Sequence, residues 1–87
     1  RVVRNMQAYL APNPSTGNTT LNIQLHHAQS IQLRVVDVRG QEVYATQLQG
    51  EPGRQQYVLP TQSLPVGIFM VQVQSEEGVG TYRLVKN

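Results

Sequence analysis

The sequence contains no cysteine. Disulfides and thiolate metal sites are therefore excluded; the absence is compatible with export but does not identify a redox compartment. It also has no tryptophan, one phenylalanine and four tyrosines. Charge is sparse: seven Lys or Arg against five Asp or Glu give a net charge of +2. The basic residues Arg1, Arg4, Arg34, Arg39, Arg54, Arg83 and Lys86 are scattered, with no run and little aromatic interleaving. A nucleic-acid footprint needs clustered positive charge, so no nucleic acid is expected as a partner. No stretch approaches the ~18 apolar residues of a membrane helix, and none shows a helical apolar period. No secretory signal is present in the chain. It begins with Arg1 and not Met, so we expect a piece of a longer protein, with any signal peptide upstream.

What the chain does contain is alternation. Its 87 residues suffice for one domain of modest stability. Glutamines such as Gln24, Gln32, Gln47, Gln55, Gln56, Gln72 and Gln74 alternate with apolar residues, so they read as the wet faces of strands. Arg1–Asn5 reads as a linker remnant and Met6–Leu10 as a short first edge strand. In Ala11-Pro12-Asn13-Pro14-Ser15-Thr16-Gly17 the prolines remove two donors and hold the chain extended before a turn. Leu21, Ile23 and Leu25 form one face of a half-buried strand over Thr19–Leu25. His26–Gln29 reads as a solvated loop. Ile31, Leu33 and Val35 alternate on the next strand.

The stretch Val35–Val43 reads as a strand end, a tight turn and a strand start. Asp37 suits the first position of a type I turn and Gly40 the fourth, giving a three-residue hairpin loop with a bulge. With Asp37 opposite Gln41, Val35 faces Val43 and Leu33 faces Ala45. That register is preferred over a two-residue loop pairing Val35 with Tyr44 and Leu33 with Thr46, because it sets apolar against apolar. Val43 and Ala45 are then expected on the core face. Gln49–Gly53 reads as a loop, Gln55–Leu59 as a strand, and Leu64 as an apolar plug from a turn-rich connection. Gly67 opens the strongest strand, with Phe69, Val71 and Val73 on one face. Glu76-Glu77 reads as a solvated hairpin tip before a last strand over Thr81–Lys86. Six or seven short strands with turn signals between them predict an all-β sandwich of two antiparallel sheets.

No chemistry is expected. A catalytic site needs a nucleophile, a base and a charge-stabilising group converging in a pocket. No motif links His26, His27, Asp37 and the serines, and no phosphate-cradling glycine loop is present. His26 and His27 lack a third ligand at suitable spacing for a metal. The expectation is no enzyme, no cofactor and no metal.

The turns line up with a known family. Pro12-Asn13-Pro14 is followed by Gly17. Val36-Asp37-Val38-Arg39-Gly40 is followed by Glu42-Val43. Leu64-Pro65-Val66-Gly67-Ile68-Phe69-Met70-Val71 and a last strand ending Arg83-Leu84-Val85-Lys86-Asn87 complete the pattern. In order and spacing this resembles the type A C-terminal sorting domain of the type IX secretion system of Bacteroidetes, from about Tyr9 to Asn87. The resemblance implies an immunoglobulin-like β-sandwich of about seven antiparallel strands, with residues 1–8 a linker remnant or first edge strand and 9–87 the sorting domain. It implies a C-terminal address on an exported protein, carried through the periplasm to the cell surface or medium. The implied partners are the type IX translocon and outer-membrane shuttle proteins. In many members a sortase-like protease then removes the domain.

By residue, Pro12, Asn13, Pro14 and Gly17 match the first motif, Asp37 and Gly40 the hairpin, and Leu64, Gly67 and Phe69 a motif usually written with Leu, Gly and Tyr. Phe69 loses a hydroxyl and keeps the ring. Lys86 matches a basic residue common near the end. The stretch Arg83, Leu84, Val85, Lys86 and Asn87 is the expected partner-binding surface. An exposed edge strand there would accept a partner strand, or support self-association or a strand-swapped dimer. Deleting Thr81–Asn87 is expected to block export. Two other readings compete. One is a retained apparatus or signalling component that binds a partner. The other is a generic adhesion or carbohydrate-binding sandwich, disfavoured by five aromatics mostly at core-facing positions.

Overall fold

The computed structural model describes residues 7–87. The linker expected at Arg1–Asn5, and Met6 of the expected first strand, lie outside the described residues. Seven strands follow in order: β1 Gln7–Ala11, β2 Thr19–Leu25, β3 Gln29–Val36, β4 Glu42–Gly50, β5 Gly53–Leu59, β6 Gly67–Ser75 and β7 Gly78–Lys86. They form a three-stranded sheet, β1-β2-β5, and a four-stranded sheet, β4-β3-β6-β7, with every pairing antiparallel. The all-β sandwich expected from alternation is the fold observed. In a constant-type immunoglobulin domain the fourth strand lies beside the fifth; here β4 lies beside β3.

The core follows directly from the alternation. Leu10, Leu21, Ile23, Leu25 and Leu59 project from one sheet, and Ile31, Leu33, Val35, Phe69, Val71, Val73 and Leu84 from the other. Burying such a side chain contributes roughly 1.5–3 kcal/mol. Ordering the backbone costs about 1–2 kcal/mol per residue. The net stability of so small a domain is a small difference between large opposing contributions, so one misplaced polar contact is felt.

The central hairpin corrects the expected register. The turn itself forms as read: Gly40 N–H donates to the Asp37 carbonyl (2.9 Å), and Asp37 N–H donates to the Gln41 carbonyl (2.9 Å). Asp37 is opposite Gln41, and Val36 pairs with Glu42. The register then slips, so that Val35 pairs with Tyr44 and Leu33 with Thr46. Val43 is the extra residue of a β-bulge and is 40% exposed. The core face of β4 is therefore Tyr44, Thr46 and Leu48, not Val43 and Ala45. The cause lies further along the strand: only this phase turns Leu48 toward Ile31. The expected loop Gln49–Gly53 also shrinks to Glu51-Pro52, because Gly50 still pairs with Gln29 and Gly53 with Leu25.

Gly40 has φ of +83° and nothing within 4 Å of where a Cβ would stand. A Gly40→Val change therefore meets only backbone strain, about 1–2 kcal/mol. Urea denaturation should show that loss, and Gly40→Asn, which tolerates the left-handed region, should recover most of it.

Candidate functional site

The strand registers send the expected motifs to one end of the sandwich. Thr19, where β2 begins, pairs with Leu59, where β5 ends. Gly67, the first residue of β6, pairs with Lys86, the last of β7. Val36 at the end of β3 pairs with Met70, near the start of β6. The β1–β2, β3–β4 and β5–β6 connections and the end of β7 therefore share one pole. Gln7 pairs with Gln24, so β1 enters from the other.

At the first pole the Pro12–Ser15 segment lies against the outer edge of β7. It is bent, and both Ala11-Pro12 and Asn13-Pro14 are cis. The Asn13 side chain takes the place of a peptide unit: Nδ2 donates to the Arg83 carbonyl (2.6 Å) and Oδ1 accepts from Val85 N–H (2.9 Å). Ser15 continues the ladder, its N–H donating to the Val85 carbonyl (2.9 Å) and its carbonyl accepting from Asn87 N–H (2.8 Å). Exposed β-edges need covering or charge, and this one is covered by the motif itself.

Beneath it runs a buried polar network. Thr19 N–H donates to Thr61 Oγ1 (3.0 Å), Thr61 Oγ1 donates to the Gly17 carbonyl (3.1 Å), and Thr19 Oγ1 donates to the Pro12 carbonyl (2.6 Å). Asn18 Oδ1 accepts from Gln62 N–H (2.9 Å). Lys86, only 5% exposed, donates from Nζ to the carbonyls of Gln62 (3.0 Å) and Leu64 (2.8 Å). Among the described residues no carboxylate stands within ion-pair distance of it. The ammonium thus ties the end of β7 to the β5–β6 connection. Leu64 packs on the core as the expected plug, and Phe69 is buried opposite Leu84. At the hairpin, Asp37 Oδ1 accepts from Arg39 and Gln41 N–H (2.9 Å each). The Gln41 bond first, then that from Arg39 and its nearby charge, hold this carboxyl below its ordinary range.

The structure thus unites Pro12, Asn13, Pro14, Gly17, Leu64, Gly67, Phe69 and Lys86, with the Asp37–Gly40 hairpin at the same end. The backbone edge of the last strand is not free at this end. Over Arg83–Asn87 the outward backbone groups already bond to Asn13 and Ser15. Leu84 and Lys86 point inward. Arg83, Val85 and Asn87 are left with side chains at the surface. Sequence reasoning missed Ser15, Thr19 and Thr61, all buried and polar.

The opposite pole holds a second correction. Glu77 is not solvated: its side chain is 5% exposed. Its carboxylate accepts from His26 N–H (2.7 Å) and Gln29 Nε2 (2.6 Å), and bonds His26 Nδ1 at 2.9 Å. Burial pushes this carboxyl up, but the His26 ring, the His26 N–H and Gln29 outweigh it, leaving the pKa lowered to about 2. His27 Nε2 lies 3.1 Å from Glu76. In the loop expected to be solvated, His26, His27 and Ala28 are exposed, whereas Gln29 is buried as the first residue of β3. Among the described residues no three His, Asp or Glu are grouped to hold a metal, and no helix is long and apolar enough to cross a membrane. A polar groove of about 860 Å³ on the outside of β1-β2-β5 is lined by Tyr9, Asn22, Gln24, Arg54 and Gln56 among others, with no carboxylate, hydroxyl–base pair or histidine.

Residues 9–87 match the family model described as the secretion system C-terminal sorting domain. No curated protein matches the chain.

Proposed function

The chain belongs to the secretion system C-terminal sorting domain family of type IX secretion, which is not an enzyme family, and from that premise we propose that it is read by the translocon at the pole where its motifs meet. The supporting observation is the convergence: segments far apart in sequence, at 12–18, 61–67 and 83–87, are tied together there by hydrogen bonds and strand pairing, and the 37–41 hairpin lies at the same end. β1 begins at the opposite pole, away from this surface. The exposed features available to a partner are Arg39, Arg83, Val38 and Val66, the two valines being 76% and 77% exposed. On this reading the cargo passes through the periplasm to the cell surface or medium, and translocon, outer-membrane shuttle and, where the domain is removed, a sortase-like protease meet this same end.

Deleting Thr81–Asn87 cannot test this cleanly, because the deletion also removes Leu84, which is fully buried. A better test places residues 1–87 behind a Sec-targeted fluorescent reporter in a host with a type IX system. Surface or medium delivery that vanishes with the translocon is the expected result. Arg83→Glu with Val66→Asp should cut delivery severalfold while the purified domain melts as before. A reporter held in the periplasm of a competent host would overturn the sorting reading. Normal delivery of the double variant would overturn the assignment of the pole.

A further inference from the structure

Two edges bound the four-stranded sheet, β7 and β4, and they are treated differently. The end of β7 is covered by Asn13 and Ser15. β4 pairs only with β3. Past the bulge at Val43, from Tyr44 to Gly50, it has neither a charged residue nor a proline, two of the devices that normally blunt an edge. Its inner face is incomplete too. Tyr44, Thr46 and Leu48 point into the sandwich but are only half-buried, whereas their partners Val35, Leu33 and Ile31 are at most 1% exposed. What is missing there is a further strand bearing apolar residues on alternate positions.

We propose that the missing strand is β4 of a second copy, running antiparallel about a two-fold axis at Thr46. The sequence is self-complementary in that register. Thr46 meets Thr46 of the second copy, a favourable cross-strand pair. Tyr44 faces Leu48 on the inner side and Ala45 faces Gln47 on the outer side, while Glu42, the strand's one charge, lies beyond the bulge at Val43 and outside this pairing. No like charges meet, and both half-open inner faces close over each other. An isologous contact of this kind closes at two copies and does not propagate. It joins two four-stranded sheets edge to edge and leaves both motif poles free. The inference is independent of the sorting reading.

The test is sedimentation of the 87-residue chain over a concentration series, with variants on the outer face of β4. Ala45 and Gln47 are exposed, so the pair Ala45→Lys and Gln47→Lys should leave melting at low concentration unchanged. It sets like charges opposite each other twice in the dimer and should weaken association by roughly tenfold or more. Thr81→Lys on β7 should not. Because the chain has no cysteine, Thr46→Cys supplies a second readout: opposed Cα atoms at ~4.5–5.5 Å oxidise to a covalent dimer. A chain that stays monomeric at NMR concentrations, or a dimer indifferent to the β4 pair, overturns the proposal.

Discussion

Replacing Lys86 with Ala should destabilise the domain by about 2–4 kcal/mol. For a domain of this size that is a fall in melting temperature on the order of 10–25 °C. Two losses add. The ammonium makes charge-assisted bonds to the carbonyls of Gln62 and Leu64, and removing it leaves both without that donor. The aliphatic stem is buried with it. A Lys86→Met change separates the two, because it keeps the stem and drops the donor. Met should therefore recover part of the loss, and the remainder measures the two carbonyl bonds. If Lys86 served only as a surface charge, Ala and Met would both melt like the parent. The export reporter adds a second reading. Lys86→Ala should fail in proportion to its lost stability, whereas Arg83→Glu with Val66→Asp should fail without losing any.

Much of this was legible from a two-residue period. The phase of Leu21, Ile23 and Leu25 extends back to Thr19. That of Ile31, Leu33 and Val35 extends back to Gln29, and that of Leu84 forward to Lys86. All three polar residues are buried where their strand's phase puts them. Reading them by polarity instead of phase hid the polar contacts they make, Thr19 and Lys86 at the motif pole and Gln29 with Glu77 at the other. The bulge at Val43 was not legible in the same way. The turn fixes one register and Tyr44, Thr46 and Leu48 demand another, and an extra residue between them satisfies both. The covering of β7 was hidden for a different reason. Asn13 and Val85 are 72 positions apart, and no local pattern says that an amide between two prolines will stand in for a peptide unit. Glu77 lay in a turn, where period gives no phase and an adjacent Glu76 suggested solvent.

Glu77 yields the other large expected effect. Glu77→Ala removes the acceptor of His26 N–H and Gln29 Nε2 and should cost roughly 2–3 kcal/mol. The figure sits at the low end for bonds to a charged group, since His26 and His27 are half in water and solvent screens their side of the carboxylate. The effect depends on pH with a definite sign. The folded carboxyl titrates at about 2 against an ordinary 4.5. The ionised form is thus preferred in the folded state, and its stabilisation is complete above pH 4.5. That stabilisation declines as pH falls toward about 2, where the folded carboxyl itself protonates. His26, His27 and Gln29 face Glu77 from the β2–β3 connection and the start of β3, and Glu76 stands beside it in its own turn. Glu77→Gln keeps one acceptor oxygen and cannot ionise, so its deficit relative to the parent should be present above pH 4.5 and should shrink toward pH 2. Urea midpoints of parent and variant at pH 7 and pH 2.5 decide the matter. A gap that stays constant between them would mean that the Glu77 charge contributes nothing and that packing alone docks His26 to the β6–β7 turn.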